Sequence, residues 1–121
     1  MDERHLVVNV TSEASQCAWG GIVDNPSGPP LEAQDVWKED IRDKPIAVKE
    51  ALALVNTLKA GKLVLSNCRV DVHVDSLTVT QAWRKQGGKS KQLNDALKEL
   101  YQALLAQNIS LCLYFVPSPL N

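Results

Sequence analysis

One stretch of eight residues, "CRVDVHVD" (residues 68–75), constrains the fold more than any other part of the chain. Its apolar and polar side chains alternate with a period of two, which is typical of a strand that buries one face. The apolar positions are Val70, Val72 and Val74, and the polar positions are Asp71, His73 and Asp75. The pattern predicts a strand that ends in a carboxylate.

Turn-forming residues divide the rest of the chain into further strands and helices. Three more strands are predicted at "HLVVNV" (5–10), "CAWGGIV" (17–23) and "ISLCLYFV" (109–116), and "AQDVWKEDI" (33–41) indicates an edge strand. Helices are predicted over residues 43–62, 76–86 and 92–108. Asp43 and Ser76 can cap the first two helices, Pro45 suits a first turn, and Gly61 can end a helix. The order β-β-β-α-β-α-α-β favours an α/β fold, a mixed five-stranded sheet with helices packed on it.

Composition limits the classes of protein to which the chain can belong. A length of 121 residues, 45% of them hydrophobic, suits one domain with a real core, predicted over residues 1–121. The net charge of −1 gives no global signal for nucleic acid or membrane. We expect an intracellular protein (cytoplasm or nucleus) because the N-terminus is charged and no apolar run could span a bilayer.

The cysteines fit the same expectation. Cys17, Cys68 and Cys112 are far apart, odd in number and set among apolar residues. This favours buried, reduced thiols over a disulfide framework. His5 and His73 do not supply the spacing that a zinc site needs.

Three carboxylates occupy positions from which they could meet. Glu13 ends the first strand, Asp75 ends the strand over residues 68–75, and Glu50 lies in the second turn of the first long helix, flanked by apolar residues. If the two strands are parallel neighbours, Glu13 and Asp75 emerge at the same edge of the sheet. Clustered carboxylates suit Mg²⁺ or Mn²⁺ and phosphoryl chemistry. The alternative for each residue is a solvated surface charge.

Four segments, in order, resemble the ribonuclease H domains of reverse-transcribing elements, notably DIRS-type retroelements and hepadnavirus polymerases. "EASQCAWGGIV" resembles the opening Asp-Ala-Ser motif followed by Trp-Gly, and "PIAVKEALALVNTL" resembles the helix with the catalytic Glu. "VHVDSLTVTQAWRKQGGKSKQL" resembles the strand with the catalytic Asp and the helix after it, and "LYFVPSPLN" resembles the last strand. The resemblance runs from about Leu6 to Asn121.

The resemblance implies metal-dependent hydrolysis of the RNA strand of RNA–DNA hybrids, within a reverse-transcriptase polyprotein that also carries a polymerase domain. Glu13, Glu50 and Asp75 stand where the family has catalytic carboxylates that hold two metal ions, Mg²⁺ or Mn²⁺. The segment "RKQGGKSK" would bind hybrid phosphates, with affinity that depends on salt rather than on sequence. The residues proposed for this contact are Arg84, Lys85, Lys89 and Lys91.

The chain departs from the family at two points. The opening residue is usually Asp, and here it is Glu13, whose extra methylene moves the carboxylate by about one C–C bond, ~1.5 Å. The family's fourth carboxylate follows Leu-Asn, where this sequence ends, so we expect that ligand and the C-terminal helix to be absent. Two alternatives therefore stay open: a catalytically degenerate ribonuclease H-like module with a structural or nucleic-acid-binding role, and an unrelated small α/β protein.

Overall fold

The computed structural model describes residues 7–85 and 90–116. Five strands form one sheet in the order β3-β2-β1-β4-β5. The strands are β1 (Val7–Ala14), β2 (Ala18–Val23), β3 (Leu31–Val36), β4 (Arg69–Val74) and β5 (Ser110–Phe115). The helices are α1 (Glu39–Arg42), α2 (Ile46–Ala60), α3 (Lys62–Leu65), α4 (Leu77–Arg84) and α5 (Lys91–Gln107).

The sheet is mixed, as the sequence predicted. β2 is antiparallel to both β1 and β3, whereas β4 is parallel to both β1 and β5. β1 and β4 are therefore parallel neighbours, which was the condition for bringing Glu13 and Asp75 to one edge of the sheet.

The hydrophobic core lies between one face of the sheet and the helices. Val8 and Val10 of β1 join the alternating valines of β4 in a single buried cluster with Leu54 and Leu58 of α2 and Leu100 of α5. α2 packs against both β1 and β2, and α5 packs against α2. Because β4 turns its valines inward, its Asp71 and His73 fall on the other face, where the His73 and Tyr114 rings stack with centroids 5.4 Å apart.

A few residues determine where the helices begin and end, and two of those predicted from the sequence are confirmed. The Ser76 hydroxyl caps α4 by accepting a hydrogen bond from the Val79 amide, at 3.2 Å, as predicted. Gly61 ends α2, also as predicted. The predicted cap at Asp43 is wrong, because α2 begins after Pro45 and has no side-chain cap.

Three other predictions need correction. The third strand covers Leu31–Val36, not residues 33–41, because the chain turns inward at Trp37, which is 4% exposed, and then forms the helical turn α1. The helical turn α3 was not predicted. Of the cysteines expected to be buried, only Cys68 is; Cys112 is half-buried, and Cys17 lies exposed in the β1–β2 turn.

Among the described residues, no helix is both long and apolar enough to cross a membrane.

Candidate active site

The candidate site lies at the edge of the sheet where β1 and β4 end side by side. Their register pairs Val10 with Val72 and Thr11 with His73. Continued by two residues, the same register sets Glu13 beside Asp75. Neighbouring strands lie about 4.8 Å apart, so the two backbones carry their carboxylates at adjacent positions.

Glu13 faces away from α2. It pairs with Gly20, whereas Ser12 pairs with Gly21. A Cβ built on Gly21 would meet the Thr57 side chain of α2, so the Ser12 and Gly21 positions face that helix. Successive residues of a strand face opposite sides, and Glu13 therefore lies on the open face, where it is exposed. It is the seventh of the eight residues of β1, so the strand ends one residue after it.

Glu50 approaches the same edge from α2 and meets Asp75. Burial is the main cause that raises the pKa of the Glu50 carboxyl above its ordinary value. A hydrogen bond with the Ser76 side chain opposes this, and the Asp75 carboxylate, which is close enough to hydrogen-bond Glu50, raises the pKa further. The Glu50 side chain is half-buried, as its apolar neighbours in the sequence would suggest.

Ser76 is a site residue that sequence reasoning recognised only as a helix cap. It is 7% exposed, and its Oγ accepts the Val79 amide of α4 while its side chain hydrogen-bonds Glu50. One hydroxyl therefore fixes both the start of α4 and the carboxylate of α2. The adjacency of Ser76 to Asp75 was the available signal, but capping alone already explains a serine at that position.

The structure brings Glu50 and Asp75 together, and the continued β1–β4 register sets the Glu13 backbone level with that of Asp75. Within residues 7–85 and 90–116, no group of three or more His, Cys, Asp and Glu side chains is arranged to hold a metal ion. The donor chemistry nevertheless fits a hard divalent cation: all three ligands would be carboxylate oxygens, and two of them, Glu50 and Asp75, are already close enough to hydrogen-bond each other. The metal site thus stays a prediction.

The predicted basic residues lie around the connection between α4 and α5. Arg84 ends α4, Lys85 follows it and Lys91 begins α5; all three are exposed. The Lys91 ammonium lies 3.4 Å from the Asp95 carboxylate, one helical turn further along α5. Lys89 lies outside the described residues.

Solved structures with a similar fold are ribonucleases H and reverse transcriptases. RNase H1 from the halophilic archaeon Halobacterium salinarum NRC-1 matches with a TM-score of 0.73 and 17% identity, over 92% of this chain and 86% of that one. LC11-RNase H1, solved in complex with an RNA/DNA hybrid, matches with a TM-score of 0.71 and 16% identity, over 92% of this chain and 84% of that one.

A viral structure matches across almost the whole chain. The foamy viral protease-reverse transcriptase, solved in complex with dsDNA, gives a TM-score of 0.63 and 13% identity over 99% of this chain. The match spans only 25% of that protein. No protein-family model and no curated protein matches the sequence. At these identities the likeness concerns the fold alone: the chain has a ribonuclease H-like fold, with the mixed sheet and packed helices that its sequence predicted.

Proposed function

We propose that this domain hydrolyses the RNA strand of RNA–DNA hybrids, and that it belongs to a reverse-transcribing element of the DIRS or hepadnavirus type. The observation that carries the proposal is the contact of Glu50 with Asp75 at the sheet edge toward which the strand that carries Glu13 also runs. β1 and β4 are in parallel register up to Thr11 and His73, a register that reaches Glu13 and Asp75 if it is continued by two residues, and Glu50 contacts Asp75 from α2. The likeness to RNase H1 structures, one of them in complex with hybrid, supports the same reaction.

In this proposal Glu13, Glu50 and Asp75 hold the divalent ions, Mg²⁺ or Mn²⁺. When bound, such ions activate the attacking water and stabilise the leaving oxygen of the phosphodiester. The protein's own part is to hold the carboxylates in place: Asp75 at the end of β4, Glu50 through the Ser76 hydroxyl, and Glu13 on the open face, where a duplex can approach.

The basic residues suit the phosphate backbone of a hybrid. α4 begins just after Asp75 and Ser76, and Arg84 ends it eight residues later. At 1.5 Å per residue, the α4 backbone carries Arg84 about 12 Å from Ser76, the residue next to Asp75. With about 3.4 Å of duplex axis per nucleotide, the separation is roughly three to four steps along a strand. We propose that Arg84, Lys85 and Lys91, with Lys89, bind phosphates on that part of the hybrid.

A non-catalytic module is the second candidate. It is favoured by Glu13 in place of the usual Asp, and by the finding that no three described side chains are grouped to hold a metal ion. Such a module would bind the hybrid, or support a covalently linked polymerase domain, without cutting. The match to one quarter of a viral protease-reverse transcriptase is compatible with either candidate.

Cleavage of a labelled RNA–DNA hybrid in Mn²⁺ separates the two candidates. Wild type is compared with Asp75→Asn, which keeps the shape of the side chain but removes its charge. We expect wild type to release RNA fragments and Asp75→Asn to be at least about 100-fold slower. If wild type and Asp75→Asn are both unable to cut the hybrid, the proposal that the domain is an enzyme is refuted. Hybrid binding that survives Asp75→Asn but is lost when Lys89 and Lys91 are neutralised would support the binding module.

A further inference from the structure

The β1–β2 turn, which follows Glu13 in the chain, is held through three consecutive carbonyl oxygens. The Trp37 indole Nε1 donates to Ser15 O at 3.0 Å, and the Trp37 amide donates to Cys17 O at 2.8 Å. Between them, the Lys49 ammonium donates to Gln16 O at 2.8 Å. Trp37 ties the turn to the end of β3, whereas Lys49 ties it to α2.

Lys49 is an unusual residue for its position. It is 3% exposed, although lysine is almost never fully buried without a partner. Its ammonium also donates to Arg42 O, the carbonyl of the last residue of α1, at 2.5 Å. A buried ammonium is tolerated only where hydrogen bonds replace its lost hydration. An apolar side chain could be buried here without the desolvation free energy of an ammonium. The effect specific to lysine is that it joins two segments by hydrogen bonds.

Those segments carry two of the carboxylates. Gln16 lies three residues after Glu13, and Lys49 directly precedes Glu50. We propose that Lys49 is a positioning residue: by holding the β1–β2 turn against α2, it fixes the Glu13 end of β1 relative to Glu50 and Asp75. This role rests on the proposed function, because it matters only if the three carboxylates act together.

The geometry of such a site explains why a clamp is needed. Carboxylates that share metal ions must be held to within about 0.5 Å, and a misplacement of about 1 Å costs on the order of 100-fold in rate. Glu13 is exposed on the open face of the sheet, on the side away from α2. The backbone of its strand end must therefore supply the rigidity, and the Lys49 bond to Gln16 O provides it from α2.

Three variants test the role. Lys49→Met keeps an unbranched side chain of similar length but removes every donor, and Lys49→Arg restores donors. Val55→Ala is the matched control: Val55 lies in the same helix and is 1% exposed, but its truncation leaves the clamp intact. Hydrogen exchange is read at the amides of residues 15–18, and Mn²⁺ affinity and hybrid cleavage are measured well below the melting temperature of every variant.

We expect Lys49→Met to speed amide exchange in the turn by about tenfold, since the turn loses its tie to the core. We expect the same variant to weaken Mn²⁺ binding and to lower kcat by about tenfold or more with KM for the hybrid little changed, because only the reacting geometry is disturbed. Lys49→Arg should recover part of both losses. Val55→Ala should lower the melting temperature but change neither exchange in the turn nor kcat.

Three results would overturn the proposal. Unchanged exchange in Lys49→Met would mean that the side chain does not hold the turn. Faster exchange, with Mn²⁺ affinity and kcat no lower than in Val55→Ala, would make the clamp purely structural. If wild type neither binds Mn²⁺ nor cuts hybrid, the proposed function fails and the positioning role fails with it. The exchange measurement would then still report whether the clamp exists, so the two failures are distinguishable.

Discussion

Replacing Glu50 by Gln should stabilise the protein at neutral pH. The change removes a partly buried charge that lies against the Asp75 carboxylate, while the side-chain amide can still hydrogen-bond Ser76. Two unit charges about 4 Å apart repel by about 1 kcal/mol where water screens them. Because Glu50 is only half-buried, we take ~1 kcal/mol as the scale of the gain. For a domain of this length, that corresponds to a rise of roughly 4 °C in melting temperature.

The gain should depend on pH in one direction. The folded state raises the pKa of Glu50, so it holds the proton more tightly than the unfolded chain does. Stability therefore falls as pH rises from the ordinary carboxyl pKa through the raised value, and the cost is fully present above it. Glu50→Gln escapes this cost. Its advantage over wild type should be largest near pH 7 and should shrink as the pH is lowered toward about 4.

Thermal melts of wild type and Glu50→Gln, followed by circular dichroism between pH 4 and pH 8, measure the effect. Glu99→Gln is the control, because it removes an exposed glutamate from α5 and should change the melting temperature little at any pH. A lower melting temperature for Glu50→Gln at pH 7, or a gain that does not vary with pH, would refute the reasoning. Added Mg²⁺ should raise the melting temperature of wild type more than that of Glu50→Gln, because the variant has lost a ligand.

Three further predictions concern packing, a helix end and charge. Gly21→Ala should lower the melting temperature by several degrees, at a cost of about 1–3 kcal/mol, since its Cβ would lie 2.0 Å from the Thr57 hydroxyl oxygen. Gly20→Ala should hardly change the melting temperature, because its Cβ would lie 3.9 Å from the nearest atom, the Ala33 carbonyl oxygen. Asn108→Ala should cost about 1–2 kcal/mol in urea unfolding, because residue 108 has φ 54°, and Asn108→Gly should cost less. Lys91→Ala should reduce the salt dependence of hybrid binding by about one phosphate contact, with no change in sequence preference.

The order of the main elements could be predicted because local signals agreed with the tertiary structure. The valines of β4 alternate, and all three are buried against the helices. Leu93, Leu97 and Leu100 of α5 likewise fall on its buried stripe. Where tertiary contacts decided the outcome, prediction failed. The sequence pattern placed Trp37 within an edge strand. In the structure its indole is buried and hydrogen-bonds the β1–β2 turn, so the strand ends at Val36.

The site was predictable in its carboxylates but not in the residues that hold them. Parity along a strand and parallel pairing are properties of the sequence pattern, so Glu13 and Asp75 could be set at one edge. Burial of Lys49 depends on a carbonyl in the distant β1–β2 turn and on another at the end of α1, and the bond from Ser76 to Glu50 depends on how α2 packs near α4. Neither leaves a periodic signal, because each residue type is ordinary for its place in a helix or at a cap.

The structure bears on whether the longer side chain of Glu13 can place its carboxylate where an aspartate would. Its strand partner is Gly20, and a Cβ built there would stand 4.0 Å from the Glu13 Cγ, so the neighbouring strand leaves the side chain uncrowded. An uncrowded glutamate has more rotamers to lose on binding a cation than an aspartate has. Glu13→Asp should therefore change the rate of cleavage more than the stability. Faster cutting by Glu13→Asp would show that the longer side chain costs activity, through its displaced carboxylate or its extra rotamer freedom. Slower cutting would mean that the β1 backbone lies about one methylene further from the metal position than an aspartate can bridge.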